Sequence, residues 1–216
     1  MLQRNQNFLD KIEFGGRIAR LIDEHGINEQ SLSKDHQEAL VLFRRQQPQF
    51  EIVGAELRPW QQDAMKYFES PTQRQVIWIQ GRGNEGKTWF QNYVQSFFGY
   101  HRVCRLDLRI KHPNICNVLQ KRTLGTIDIF LFNDSRSVSG DELNLYRILE
   151  DIKDGQATTS KYNNDNIRFK TPNTVMVFSN HDPNLKKLSE DRWILLHPDS
   201  DGLKDILSTY KQNIEL

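Results

Sequence analysis

Apolar positions recur along this chain with two different rhythms. In the first forty-odd residues Phe8, Leu9, Ile12, Ile18, Leu21 and Ile22 return at helical spacing, and Gly26 makes a stop. Ser33 is placed to cap a second helix whose apolar side carries Leu40, Val41 and Phe43. Two or three short helices bury little surface alone and need something to pack against. Residues 1–46 therefore read as a small helical domain, either a cap on the main domain or an oligomerisation collar. Residues 47–56, entered through Gln46-Gln47-Pro48, read as a linker.

From residue 57 to 216 the rhythm changes to short apolar runs alternating with helical segments. Pro59 in Arg58-Pro59-Trp60 suits the first position of a helix reaching to about Glu69. Strands are predicted at 76–80, 103–108, 127–132, 175–179 and 193–196, with helices at 87–98 and 141–151. Such alternation implies an α/β fold with a mostly parallel central sheet and helices on its faces. Ligands of such sheets bind beyond the carboxyl ends of the strands.

The tips of three predicted strands carry chemistry. The first runs into Gly81-Arg82-Gly83-Asn84-Glu85-Gly86-Lys87-Thr88, the G-x-x-x-x-G-K-[ST] pattern, and then into a helix. Glycines let successive backbone N–H groups turn inward around phosphate oxygens, and the helix N-terminus adds positive potential. In that setting Gly81, Gly83, Asn84, Glu85 and Gly86 shape the cradle. Lys87 reaches the β- and γ-phosphates of ATP, and the Thr88 hydroxyl sits on Mg²⁺. The third strand delivers Asn133-Asp134, a Walker B arrangement in which Asp134 serves the metal and its waters while Asn133 offers only a neutral carbonyl oxygen. The fourth ends in Ser179-Asn180, and the Asn180 amide is placed to bond a γ-phosphate or the attacking water. Lys87 to Asn133 is 46 residues and Asn133 to Asn180 is 47, so the three tips fall within about a hundred residues.

Bulk composition removes some classes. The 216 residues carry a net charge of +1, so any DNA contact must be local rather than the product of a basic surface. Cys104 and Cys116 form no C-x-x-C, and the six histidines have no metal-ligand spacing, so neither a zinc site nor a disulfide framework is indicated. No apolar stretch approaches a membrane span and no signal peptide opens the chain. The expectation is a protein of a reducing intracellular compartment, host nucleus or cytoplasm.

These residues, in this order, resemble the superfamily 3 helicases of small DNA and RNA viruses, in particular the Rep proteins of circular single-stranded DNA viruses and their nanovirus and alphasatellite branch. That branch carries G-x-x-G-x-E-G-K-T, matched by Gly81, the neighbourhood of Gly83 and Glu85-Gly86-Lys87-Thr88. Its F-D-x-x-R motif is met by Phe132, Asn133 and Arg136. Further matches are Leu57-Arg58-Pro59-Trp60-Gln61, Lys153-Asp154-Gly155, Ser160-Lys161-Tyr162, Asn180 and Leu188-Ser189-Glu190-Asp191-Arg192-Trp193. The likeness covers roughly residues 57–200. Asn133 departs from it, since the family usually has Asp there. The family's endonuclease motifs, His-hydrophobic-His and Tyr-x-x-Lys, do not occur in this chain.

The resemblance implies a P-loop NTPase of the AAA+-like superfamily 3 type, an ATP- and Mg²⁺-dependent DNA helicase or translocase working as a ring, by resemblance a hexamer, on single-stranded DNA. Lys87, Asn133, Asp134 and Asn180 would form its catalytic set. Arg192 would complete the neighbouring subunit's site as an arginine finger; an ion pair among Glu190, Asp191 and Arg192 is the plainer alternative. Residues 161–170 resemble the hairpin that projects into the channel. Lys161, Arg168 and Lys170 would contact phosphates and Tyr162 would stack on a base. The chain is then the helicase part of a larger Rep, or a Rep relative without the nickase, and a nicking endonuclease domain or protein is a possible partner. Two rival readings are a nucleotide-binding oligomerisation module with weak or no hydrolysis, and a small P-loop phosphotransferase.

Overall fold

The computed structural model describes residues 2–46, 52, 54–99, 102–107, 119, 127–134, 142–158 and 166–214. The amino-terminal residues form α1 (Leu2–His25) and α2 (Lys34–Gln46), joined through a 3-10 turn at Glu29–Ser31. Gly26 ends α1 with φ +63°, a left-handed conformation that suits glycine, and its N–H donates to the Ile22 carbonyl at 2.8 Å. Ser33 caps α2 as expected, its Oγ accepting from His36 N–H at 3.3 Å. The two helices close on a small core of Ile18, Ala39 and Leu40. At Gly15 the helices come so close that a Cβ would overlap the Ala39 backbone. Leu21 and Val41, assigned to the apolar side, are each 45% exposed, because so small a pair has room for only one shared stripe. The linker expected at 47–56 falls largely outside the described residues.

The α/β part opens with α3 (Pro59–Glu69), Pro59 taking the first helical position. It continues through β1 (Val76–Gln80), α4 (Lys87–Phe98), β2 (Val103–Asp107), β3 (Ile129–Asn133), α5 (Glu142–Lys153), β4 (Gln156–Thr158) and β5 (Asn166–Arg168). β6 (Thr174–Ser179), β7 (Trp193–Asp199), β8 (Gly202–Asp205) and α6 (Leu207–Ile214) complete it. Six strands form one sheet in the order β2-β3-β6-β1-β7-β8. β2, β3, β6, β1 and β7 run parallel, and β8 pairs antiparallel with β7 at the edge. β4 and β5 pair antiparallel with each other, apart from the main sheet.

Both faces of the sheet are covered, which is why its strands read as continuous apolar runs rather than as alternation. On one face Val76, Trp78, Phe130, Phe132, Val175, Val177 and Leu195 pack with Ile148, Leu149 and Ile152 of α5. On the other, Ile77, Ile79, Ile129, Leu131, Met176 and Phe178 meet Trp60, Ala64 and Phe68 of α3 and Phe90 and Val94 of α4. Alternate residues of each strand thus go to alternate cores. The topology is compatible with a P-loop NTPase-like fold. It also places β6 between β1 and β3, so the three chemically loaded strand tips lie side by side. No described helix is long and apolar enough to cross a membrane.

Several boundaries differ from the sequence expectation, two of them for a visible physical reason. β3 begins at Ile129, two residues late, because Asp128 is held at its entrance by Arg102 Nε and Nη2 at 3.1 Å each and by Lys170 Nζ at 2.8 Å. Those two cations hold the Asp128 carboxyl below its ordinary pKa despite burial, which acts the other way. β7 runs three residues past 196 and turns back as β8, a strand that Pro198 conceals in the sequence.

Candidate functional site

The loop between β1 and α4 begins with a backbone tie across the sheet, Gly81 N–H to the Ser179 carbonyl at 3.0 Å. It turns through two left-handed residues, Asn84 at φ +68° and Gly86 at φ +82°, before α4 starts at Lys87. At Gly86 any side chain would be strained, and a Cβ would also lie 3.2 Å from Gln61 Nε2. The loop is gripped from behind by residues to which the sequence assigned no role. Arg58 Nη1 donates to the Asn84 carbonyl at 3.3 Å, Trp60 Nε1 to that of Glu85 at 3.2 Å, and Gln61 Nε2 to that of Gly86 at 3.4 Å. Three consecutive carbonyls are thereby bonded to the start of α3. The Gln61 amide oxygen also accepts the Arg58 backbone N–H at 2.9 Å, fixing the helix entry that supplies all three donors.

Lys87 folds back over this loop. Its Nζ donates to the carbonyls of Gly81 at 2.6 Å and Arg82 at 2.8 Å and to Asn180 Oδ1 at 2.8 Å, with Glu85 Oε2 at 3.4 Å. The Asn180 bond joins the tip of β6 to the loop. Beside it β3 delivers Asn133, and Asp134 continues the ladder with its N–H on the Phe178 carbonyl at 2.9 Å. Ser179 Oγ donates to Asp134 Oδ2 at 2.5 Å. A cleft of about 360 Å³ is lined by residues 82–89 together with Asn133, Asp134, Phe178 and Asn180. Thr88, Asn133 and Asp134 present only hard oxygen donors to it. One carboxylate, one hydroxyl and one amide suit Mg²⁺, which binds through one or two protein oxygens plus phosphates and water rather than in an all-protein cage. Among the described residues no three or more His, Cys, Asp or Glu side chains cluster as a metal site would need.

The remaining predicted site residues lie elsewhere. Arg192 stands just before β7, whose Trp193 pairs with Val76 at the start of β1. It is therefore roughly 20 Å from the loop of its own chain, about six residues along a strand. The ion pair expected among Glu190, Asp191 and Arg192 is built otherwise. Arg192 Nη2 bonds Asp154 at 2.8 and 3.2 Å with Glu150 at 3.5 Å, while Asp191 pairs with Arg74 at 3.2 Å. Arg192 is 6% exposed, and its Nε and Nη1 have no hydrogen-bond partner. Arg168 is exposed on β5, and Lys170, just beyond it, is tied to Asp128. Lys161, Tyr162, Arg136 and Cys116 lie outside the described residues, and Cys104 is buried in the sheet core.

No family model matches the chain. Against curated proteins it is 32% identical over 142 residues to Para-Rep C6 of Subterranean clover stunt C6 alphasatellite, covering 63% of this chain and 46% of that protein. It is 29% identical over 140 residues to Para-Rep C10 of Milk vetch dwarf C10 alphasatellite, covering 63% and 47%. Para-Rep C3 of Milk vetch dwarf C3 alphasatellite gives 29% over 147 residues, 66% and 48%. Homologues at about 30% identity are thus alphasatellite Rep proteins, and the chain spans about half the length of the curated relatives it matches.

Proposed function

We propose that the α/β part of this chain is an ATP- and Mg²⁺-dependent motor, the superfamily 3 helicase portion of a Rep-like replication initiator. The observation that carries this reading is the single cleft joining Lys87, Asp134 and Asn180 from three adjacent strand tips. The likeness to Para-Rep proteins supports the replication context. Backbone N–H groups of 83–88 would hold the phosphates, and Lys87 would exchange the Gly81 and Arg82 carbonyls for phosphate oxygens. Thr88 and Asp134 would hold the metal, and Asn180, released by Lys87, would bond the γ-phosphate or orient the water. Mg²⁺, when bound, neutralises charge on the phosphate oxygens.

Since Arg192 cannot reach the cleft of its own chain, any catalytic use of it requires a second subunit whose contact opens the pair with Asp154. A ring, with residues 1–46 as its collar, fits that requirement. Arg168 and Lys170, with Lys161 and Tyr162 from the stretch of sequence between β4 and β5, would follow single-stranded DNA through it. Lys87→Ala should abolish ATP hydrolysis, and full hydrolysis in that variant would contradict the proposal. Molecular mass with and without ATP and Mg²⁺ tests the ring, which a monomer under both conditions would exclude.

Asn133 favours a second reading, a nucleotide-dependent assembly module with little turnover. ATP-dependent oligomerisation without hydrolysis, with hydrolysis restored in Asn133→Asp, would support it.

A further inference from the structure

Ser179 lies between the first residue of the phosphate loop and Asp134, yet nothing in the motif reading uses it. It is fully buried at the end of β6, and Asp134 beside it is 9% exposed. Its hydroxyl accepts from the His181 backbone N–H at 2.8 Å, which leaves its own proton for Asp134 Oδ2 at 2.5 Å. The rotor therefore has one satisfied orientation, and the short distance is that of a hydroxyl donating to a carboxylate. Its carbonyl takes Gly81 N–H at 3.0 Å, and the next residue, Asn180, takes Lys87 Nζ at 2.8 Å. One dipeptide thus fixes the acid of β3, the first residue of the phosphate loop and the loop's lysine.

We infer that Ser179 is a positioning residue that holds Asp134 as the metal-serving carboxylate in place of the charge Asn133 lacks. The inference rests on the Mg²⁺–nucleotide reading of this cleft. With Oδ2 engaged by Ser179, the carboxylate cannot rotate freely, and Oδ1 remains for the cleft. Asn133, in register with Phe178 one position earlier, presents its neutral amide to the same space. A site with one anion has no second carboxylate to correct a misplaced first one, so the orientation of Asp134 limits metal affinity more than it would in a paired-acid site. Partners that orient a metal's ligands are typically worth about 10–100-fold in metal affinity.

The test is binding of a slowly hydrolysed ATP analogue to the full chain, followed by calorimetry while Mg²⁺ is titrated from a chelator-buffered zero. In Ser179→Ala the analogue should bind without Mg²⁺ as in the parent, while half-saturating Mg²⁺ rises about tenfold or more. Ser179→Thr, which keeps the hydroxyl, should stay within about threefold of the parent. In an Asn133→Asp background, with a second carboxylate supplied, the Ser179→Ala shift should shrink to less than about threefold. Ser179→Cys, close in volume and a weak donor, reads the same quantity should the alanine variant not fold. Unchanged Mg²⁺ dependence in folded Ser179→Ala or Ser179→Cys overturns the inference, whatever their melting temperatures. A parent protein whose analogue binding ignores Mg²⁺ overturns the reading of the cleft itself, and the inference with it.

Discussion

Lys87 and Lys153 both hand an ammonium group to backbone carbonyls, at opposite ends of one sheet. Lys87 sits at the carboxyl edge, on the carbonyls of Gly81 and Arg82, beside Asn180 and Glu85 and facing a cleft of about 360 Å³. Lys153 closes α5 at the amino edge, where its Nζ donates to the carbonyls of Thr72 and Asn173 at 2.6 Å each and to Thr72 Oγ1 at 3.3 Å. It is 4% exposed, and burial, with the Arg192 charge nearby, lowers its pKa from 10.5 to about 8. The two partner sets are alike; their surroundings are not. An ammonium beside an open cleft can trade carbonyls for phosphate oxygens, whereas a sealed one only ties the residues before β1 and β6 to the end of α5. Burial and carbonyl contacts alone do not distinguish a working lysine from a structural one. The adjoining space does.

The contrast predicts opposite losses. Lys87→Ala should weaken ATP binding by about 100-fold or more, with about 1 kcal/mol or less of stability lost, read by calorimetry and thermal melts. A large drop in melting temperature with affinity intact would reverse the assignment of the two ends. Lys153→Ala should cost roughly 2–4 kcal/mol, since it leaves interior carbonyls without a donor. ATP affinity of the folded fraction should stay within about threefold of the parent, because Lys153 lies at the edge of the sheet opposite the cleft.

The pH dependence sharpens the comparison. A lysine with a lowered folded-state pKa binds fewer protons folded than unfolded between its two values, so its burial penalty fades as pH rises. Stability relative to a Lys153→Met variant should therefore climb between pH 8 and 10.5, by at most about 3 kcal/mol, in urea titrations. A flat difference would mean that the amine keeps its ordinary pKa. At the carboxyl edge Gly86→Ala should cost about 1–2 kcal/mol through its φ of +82° and its crowding of Gln61, and should weaken ATP binding as the loop shifts. Unchanged affinity in that variant would show that the grip of Arg58, Trp60 and Gln61 is not needed to shape the loop.

Most of the carboxyl edge was legible in the sequence, because its chemistry is local. β1, the loop and α4 are contiguous, and β3 and β6 are apolar runs ending in polar tips. The parallel arrangement put those tips on one edge, and the strand order, with β6 between β1 and β3, set them side by side. What escaped was non-local. Nothing in the spacing pairs Arg58, Trp60 and Gln61 with carbonyls about 25 residues away, or Lys153 with Thr72 and Asn173. β4 and β5 have three residues each, too few for a period to show, although the turn residues after 161 pointed to a strand pair. Arg192 kept two readings open in the sequence, and its Asp154 partner lies 38 residues earlier, just past the end of α5.

The most direct test of the account is the rate of ATP hydrolysis per chain, measured over rising protein concentration with and without single-stranded DNA. A motor completed by its neighbour predicts a rate per chain that climbs with concentration, rises further with single-stranded DNA and vanishes in Lys87→Ala. A rate that is independent of concentration, indifferent to DNA and intact in Lys87→Ala would contradict it.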